Sequence, residues 1–191
     1  RMSDSSFKRY KKFNFLSNLV FQKITLAFVQ SEAHRERFAL LGVDNHKIRN
    51  AGSVKFDVEV NQNPLRNTIK NKILLAASTH KKEDEIMIKS YVKLLEENED
   101  LNLIIVPRHP DRAESIQSLL RNYRLDSTLC KEIPQDFSKN NVYVIKATGL
   151  LKKLYSIATL AYVGGSLFKE YGGHNIIEPA SQRCPFIVGP D

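Results

Sequence analysis

The feature that most constrains this 191-residue chain is a regular alternation of short apolar runs with helical patterns between residues 73 and 188. The helical patterns cover about 83–97, 111–123 and 150–157, and the apolar runs cover 73–77, 101–106, 142–145, 160–163 and 185–188. Strands that alternate with helices predict a parallel sheet, and uninterrupted apolar runs predict that both of its faces are covered. The predicted fold class is α/β, with a doubly wound parallel sheet. Only the segment from 124 to 141 has a weak pattern.

A smaller alternation precedes this region. The apolar run 24–29 predicts a buried strand, and 47–51 is a candidate edge strand. Between them we predict a helix with Ser31 as its cap, which ends at Leu41 because Gly42 follows. The polar stretch VEVNQNPLRN follows and has no apolar period, as is typical of a linker. We therefore predict one domain over 1–57, a linker over 58–63 and a second domain over 64–191.

The charge of the chain is unevenly distributed. The net charge is +8, and residues 1–57 hold 11 Lys and Arg against 5 Asp and Glu, whereas the rest is nearly balanced at 18 against 16. Bases and aromatic rings alternate in FKRYKKFNF, a pattern that suits nucleic acid or an amphipathic helix on an anionic membrane surface. No nucleic-acid-binding motif accompanies it, so we expect no nucleic acid, and an anionic membrane surface, an anionic substrate and a plain solvated face remain open as explanations. Cys130 and Cys184 lack metal-ligand spacing, and we expect no metal and no cofactor.

The stretch AYVGGSLFKEYGGHNIIEPA, residues 161–180, contains the strongest functional pattern. An apolar strand leads into two glycine pairs and then into the first turn of a helix, an arrangement that offers free backbone N–H groups to an anion. Asn175 is a good N-cap, and Pro179 fits only near a helix start. Glu178 has two open roles: it caps Asn175 through a capping box, or it accepts hydrogen bonds from sugar hydroxyl groups of a ligand.

Polar clusters follow the carboxyl ends of four predicted strands. These clusters are Ser78-Thr79-His80, Pro107-Arg108-His109, Thr148-Gly149 and the stretch from Gly164 to Glu178. Ligands of open α/β sheets bind at that edge, so we expect the clusters to converge on one crevice. Arg108 lies between two prolines, and a rigidly held guanidinium suits a phosphate, although it would equally well bridge its neighbours. His80 and His109 would bond either a ligand or nearby backbone.

These residues also carry a resemblance to a known family. GGS followed by GGHNIIEPA resembles the donor-binding signature of Kdo (3-deoxy-D-manno-octulosonic acid) transferases, the glycosyltransferases of lipopolysaccharide core synthesis. In the same order along the chain, RMSDSSFKRYKKF, VQSEAHRERFALLG, AGSVKFD, AASTHKKED, IIVPRHPDR and the final GPD are similar to further motifs of that family. The resemblance spans essentially the whole chain.

The resemblance implies a GT-B fold, in which two Rossmann-like lobes flank the active site. Residues 1–57 would be the end of the acceptor lobe and 64–191 most of the donor lobe, so we expect both lobes to be incomplete and the general-base glutamate of the family to be missing. The implied reaction is inverting, metal-independent transfer of Kdo from CMP-Kdo to a lipid A precursor. It would take place at the cytoplasmic face of the bacterial inner membrane, with the protein peripheral or anchored through a missing N-terminal part.

Residue roles follow from the same resemblance. Lys55 would stabilise negative charge that develops during transfer. The CMP moiety would be held by residues of three segments, namely Pro107 and Arg108, then Thr148, Gly149 and Leu150, and finally Asn175, Ile176, Ile177 and Glu178. Gly164, Gly165, Ser166, Gly173 and His174 would form the supporting loop.

The chain also departs from the family pattern. Lys146 and Leu150 stand where the family usually has carboxylates, and Lys82 stands where it has a glycine. These departures favour a second hypothesis, a nucleotide-binding remnant without transfer activity. A third hypothesis is another GT-B transferase or epimerase that uses a uridine nucleotide sugar.

Overall fold

The computed structural model describes residues 2–53, 69, 71–137 and 141–191, and the chain divides into two compact units, Arg1–Val58 and Glu59–Asp191. Lys55 and the predicted linker 58–63 therefore lie outside the described residues. No helix in the described part of the chain is long and apolar enough to cross a membrane.

The first unit contains helices α1 (Asp4–Lys12), α2 (Asn14–Phe21) and α3 (Glu32–Leu40), and the parallel strands β1 (Ala27–Val29) and β2 (Ile48–Asn50), with a 3-10 turn over Asn45–Lys47. Helix α3 begins as predicted, because the Ser31 hydroxyl accepts a hydrogen bond from the His34 amide at 3.4 Å. Gly42 follows it with a φ of 102°. The predicted strand over 24–29 is too long, because only Ala27–Val29 form β1 and pair with β2. Ile24 packs beside the small core instead.

The second unit is the predicted doubly wound parallel sheet. Its strands are β3 (Lys72–Thr79), β4 (Leu101–Pro107), β5 (Ser127–Cys130), β6 (Val142–Ile145), β7 (Leu160–Val163) and β8 (Phe186–Ile187), and its helices are α4 (Lys81–Leu95), α5 (Ala113–Asn122), α6 (Leu151–Ile157) and α7 (Ile177–Ser181). A 3-10 turn over Pro110–Arg112 precedes α5. The strand order is β5-β6-β4-β3-β7-β8, and every pair is parallel.

Two apolar layers cover the sheet, because alternate side chains of a strand point to opposite faces. Met87, Ile88 and Tyr91 of α4 pack with Ile116 and Leu120 of α5 on the face that carries Leu74, Ala76, Leu103 and Ile105. Leu154, Tyr155 and Ile157 of α6 pack on the other face, against Ile73, Leu75, Ala77 and Ile104. After β3 the chain first adds β4, β5 and β6 on one side of β3, and then crosses to the other side of β3 to add β7 and β8. The direction in which strands are added therefore reverses between β3 and β7. In open α/β sheets such a reversal is where ligands bind.

The sequence pattern missed β5, which pairs with β6 at one edge of the sheet. Thr128 and Leu129 are exposed, so the strand lacks the continuous apolar run that marked the other strands.

Candidate functional site

The centre of the site is the junction between the carboxyl ends of β3 and β7. The Gly164 amide donates to the Ala77 carbonyl at 2.8 Å, which continues the pairing of the two strands beyond β7. A side-chain carbon on Gly164 would lie 2.4 Å from the Ser78 carbonyl oxygen, so only glycine fits there. Ser78 has a φ of 54°, where the pairing of β3 with β4 shifts register. The two strand ends are therefore in direct backbone contact.

Residues 164–175, which we call the glycine loop, fold back on themselves. The Gly173 amide donates to the Gly165 carbonyl at 2.8 Å, and the His174 amide donates to the Gly164 carbonyl at 3.2 Å. Gly165 and Gly173 have φ values of 81° and 62°, in the left-handed region that favours glycine. The Ser166 hydroxyl donates to the Val163 carbonyl at 2.9 Å and accepts from the Gly189 amide at 2.7 Å. The structure thus brings the five residues of the predicted supporting loop together.

Glu83, at the start of α4, ties the glycine loop to the end of β3. It is 0% exposed, and its carboxylate accepts hydrogen bonds from the Gly165 amide at 2.8 Å, the His80 amide at 2.9 Å and the Tyr162 hydroxyl at 2.5 Å. Burial alone would raise the pKa of Glu83, but the hydrogen bonds from Tyr162 and the backbone amides outweigh burial and lower it. The buried carboxylate is therefore held in its charged form.

In the sequence, Glu83 is only the first residue of the helical pattern over 83–97. The spacing His80-x-x-Glu83 is the signal that was available, since a carboxylate three residues after an N-cap reaches back to the cap amide. Nothing local indicated that the same carboxylate also accepts from the glycine loop.

Two histidines meet where the glycine loop faces the start of α4. The Nε2 atoms of His80 and His174 lie 3.0 Å apart, although the residues are 94 positions apart in sequence. The His80 ring also stacks on Tyr171, with centroids 3.9 Å apart and planes 5° from parallel. The His109 ring lies edge-on to His80 at a centroid distance of 6.3 Å. Burial lowers the pKa of both His80 and His174, and the neighbouring cation Arg108 lowers each pKa further.

Arg108 stands at the end of β4, beside this pair. Its backbone amide donates to the Thr79 carbonyl at 3.0 Å, while its side chain is exposed. The guanidinium makes no hydrogen bond or ion pair with any residue that the structure describes. It therefore does not act as the bridge between neighbours that the sequence left open. Arg112 has that role instead: it pairs with Asp84 and donates to the Thr79 carbonyl at 2.9 Å. Pro107 is buried in β4.

The segment from Asn175 to Glu178 leads from the glycine loop into α7. The Asn175 side-chain oxygen accepts from the Ile177 amide at 3.1 Å, a bond typical of an Asx-turn. Helix α7 begins at Ile177, so its N-cap position is Ile176 and the predicted N-cap at Asn175 is one residue too early. Ile176 is exposed, and Glu178 is half-buried. Within the described ranges, the Glu178 carboxylate has no hydrogen-bond partner, so the capping box between Glu178 and Asn175 does not form.

The loop after β6 reaches the same edge of the sheet but is built differently. Thr148 and Gly149 are exposed, and Leu150 packs against the core. Lys146 pairs with Glu114 at the start of α5.

Lys82, in the first turn of α4, pairs with Glu170 of the glycine loop at 3.2 Å, so α4 forms without the glycine of the family pattern. No group of three His, Cys, Asp or Glu with metal-binding geometry occurs among the described residues.

Comparison with known proteins relates both units to one family. A family model described as 3-deoxy-D-manno-octulosonic-acid transferase (kdotransferase) matches residues 1–58. The chain is 34% identical, over 99% of its length, to the 3-deoxy-D-manno-octulosonic acid transferase of Haemophilus influenzae, of which it covers 46%. It is 36% identical, again over 99% of its length, to a bifunctional glycosyltransferase/methyltransferase of Fusobacterium nucleatum, of which it covers 30%. The chain thus spans less than half the length of these relatives.

A solved structure agrees with this relationship. The C-terminal CMP-Kdo binding domain of WaaA from Acinetobacter baumannii matches with a TM-score of 0.59 and 30% identity, over 65% of each chain. At that identity the match extends beyond a shared fold. The family model, the curated relatives and the solved domain agree with the resemblance of the motifs, and together they relate the chain to the 3-deoxy-D-manno-octulosonic-acid transferases.

Proposed function

We propose that this chain contributes the donor-binding part of a glycosyltransferase that transfers Kdo from CMP-Kdo to a lipid A precursor, with inversion and without a metal. The observation that carries the proposal is the Arg108 guanidinium, which has no partner among the residues that the structure describes. It lies beside two histidines and a glycine loop, and the chain matches a solved CMP-Kdo binding domain over 65% of its length. A cation together with N–H donors is a combination that binds phosphate well.

Within this proposal, residues 1–57 belong to the acceptor-binding lobe and 64–191 to the donor-binding lobe of a GT-B enzyme. Arg108, positioned by Pro107, holds the phosphate of CMP. Asn175, Ile176 and Ile177 provide backbone amides to the nucleotide. Glu178 accepts from the ribose hydroxyls. Its carboxylate has no hydrogen-bond partner in the part of the chain that the structure describes, which supports that role, because a half-buried carboxylate is stabilised by a ligand donor.

Two further assignments rest on the family resemblance alone. Thr148, Gly149 and Leu150 border the nucleotide, and Lys55 stabilises negative charge on the departing phosphate.

Calorimetric titration of the 191-residue chain with CMP tests the proposal. We expect saturable binding, weakened roughly 10- to 100-fold by Arg108→Ala and by Glu178→Ala, since a hydrogen bond to a charged group contributes about 1.5–3 kcal/mol. Arg121→Ala and Glu96→Ala are matched controls, because both side chains are exposed at the C-terminal ends of α5 and α4, at the opposite edge of the sheet. A folded chain that binds no CMP would overturn the proposal.

The titration also separates the alternatives. Tighter binding of a uridine nucleotide than of CMP would favour a different GT-B enzyme. The remnant hypothesis has a specific observation in its favour, because Lys146 is engaged with Glu114 where the family has a carboxylate. CMP binding without Kdo transfer, after the rest of the acceptor lobe is supplied, would support the remnant.

An anionic membrane surface is the second proposed partner, and it is supported by α1 and α2. Lys8, Arg9, Lys11 and Lys12 are exposed on α1. On α2, Phe15 is 80% exposed and Leu16, Leu19 and Val20 are at least half exposed. Cations beside exposed apolar side chains are the pattern of a helix that lies in a membrane interface. We therefore infer a peripheral contact with a membrane, and the family resemblance implies the cytoplasmic face of the inner membrane as its location.

Sedimentation with lipid vesicles tests this placement. Binding to vesicles with anionic lipid should exceed binding to zwitterionic vesicles and should weaken in high salt. Phe15→Ser should weaken binding to anionic vesicles, and Lys11→Glu together with Lys12→Glu should remove the lipid preference. Equal binding to both vesicle types by the unmodified chain would contradict an electrostatic contact.

A further inference from the structure

The contact between His80 and His174 has a chemical consequence of its own. A neutral imidazole has one N–H group and one lone pair, so two Nε2 atoms 3.0 Å apart use one donor and one acceptor in bonding each other. If the accepting Nε2 takes up a proton, both Nε2 atoms become donors and no longer bond each other. Two adjacent donors then need a shared acceptor, and a phosphate oxygen is such an acceptor.

The charged and titratable groups around the pair favour an anion. The groups that face it from the packed elements are Glu83 and Lys82 of α4, Arg108 and His109 after β4, Arg112 before α5, and Glu170 and Tyr171 of the glycine loop. The Glu83 carboxylate already accepts from Tyr162 and backbone amides, and Lys82 pairs with Glu170. Among the described residues no carboxylate pairs with Arg108, whose positive charge lies near both rings.

Burial and the nearby cations lower the pKa of both histidines, which keeps the empty pair neutral near pH 7. A dianionic phosphate beside the pair acts in the opposite direction and raises its pKa. Protonation of the pair and phosphate binding therefore reinforce each other.

The loops hold the rings in position for this exchange. Glu83 accepts from the amides of both His80 and Gly165, which fixes the two loops relative to each other. A side-chain carbon on Gly165 would lie 3.0 Å from the His174 ring, so a glycine at this position lets the ring pack against the loop backbone.

We propose that the His80–His174 pair is a phosphate-binding element of the donor site and takes up one proton when the phosphate of the nucleotide binds. This inference rests on the proposed function and adds to it two ligand-contacting residues and a proton linkage. The affinity should fall as pH rises between the pKa of the empty pair, which is below 6.5, and the pKa of the occupied pair, by up to tenfold per pH unit.

Calorimetry in buffers of different ionisation enthalpy tests the proton count. The probes are CMP and cytidine, which lacks the phosphate, at about pH 7 to 8, where a phosphate monoester is already mostly dianionic. We expect uptake that approaches one proton with CMP and none with cytidine. His174→Asn and His80→Asn should abolish the uptake and weaken CMP binding roughly 10- to 100-fold. The exposed His46, in the other unit, provides the control His46→Asn, which should retain both.

The outcomes separate this inference from the proposed function. CMP binding without proton uptake would overturn the inference and leave the donor site standing, because the two histidines would then only join two loops. No CMP binding by the folded chain would overturn the proposed function, and ¹⁵N NMR of the histidines with inorganic phosphate would then decide the inference. A shift of the His80 and His174 Nε2 signals toward the protonated position would support a phosphate site, and unchanged signals would overturn it.

Discussion

The glycine loop after β7 and the turn at 146–150 after β6 leave the same edge of one sheet, yet they are held very differently. Glu83, Ser166 and the two histidines connect the glycine loop to β3, α4 and the segment after β8. Thr148 and Gly149 are exposed and have no hydrogen bond to the glycine loop within the described residues. One side of the crevice is thus built before a ligand arrives, and the other can adjust to it.

The largest difference in stability should appear when one side-chain carbon is added to a glycine of each loop. Gly164→Ala places that carbon 2.4 Å from the Ser78 carbonyl oxygen, and separating two buried backbones should cost about 3 kcal/mol of unfolding free energy. Gly149→Ala meets no atom within 4 Å and only has to accommodate a φ of 80°, so it should cost about 1 kcal/mol. Urea denaturation of both variants measures the difference. Equal losses would contradict the contrast between the loops.

Replacing the central carboxylate should have the next largest effect. Glu83→Gln puts an NH₂ group among donors and should cost about 1–3 kcal/mol of unfolding free energy. Because the folded pKa of Glu83 lies below its ordinary value of 4.5, its contribution is present above pH 4.5 and is lost as pH falls through the folded pKa. The unmodified chain should therefore lose more stability than Glu83→Gln when the pH is lowered below 4.5. Parallel acid dependence of the two stabilities would contradict the assignment.

These two sites show what the sequence predicts and what it does not. The runs 142–145 and 160–163 coincide with β6 and β7, because buried parallel strands are continuous apolar runs. The glycine positions were also predictable, since close backbone approach requires them. The bonds from Glu83 to Gly165 and from His80 to His174 span 82 and 94 positions, and no local spacing encodes such contacts.

A smaller effect is expected at Tyr162, whose hydroxyl donates to Glu83 at 2.5 Å. Tyr162→Phe removes that donor but leaves the backbone amides on the carboxylate, so it should cost about 1 kcal/mol. It should also raise the pKa of Glu83, and ¹³C NMR of the carboxyl group would measure that shift. An unchanged pKa would mean that the hydroxyl does not stabilise the charged form.

The smallest effect belongs to the open side of the crevice. Lys146→Ala removes an exposed ion pair with Glu114, and such pairs contribute little to stability because solvent screens them. The melting temperature should change little, and the same measurement on Glu114→Ala is the matched comparison. A large loss in either variant would show that this turn is fixed as firmly as the glycine loop.

The position of β3 has a consequence for how the site comes into being. β3 lies in the middle of the sheet between β4 and β7, and β7 joins it only after the intervening β4, β5 and β6 have been made. Contacts between residues so far apart in sequence form slowly, because closing a long loop has an entropic cost. During synthesis on the ribosome, β3 therefore presents one unpaired edge until β7 emerges, and the crevice is completed only at that late stage. Substitutions in the glycine loop should accordingly lower the yield of folded chain, because they hinder the pairing of β7 with β3, in addition to any loss of unfolding free energy in the folded protein.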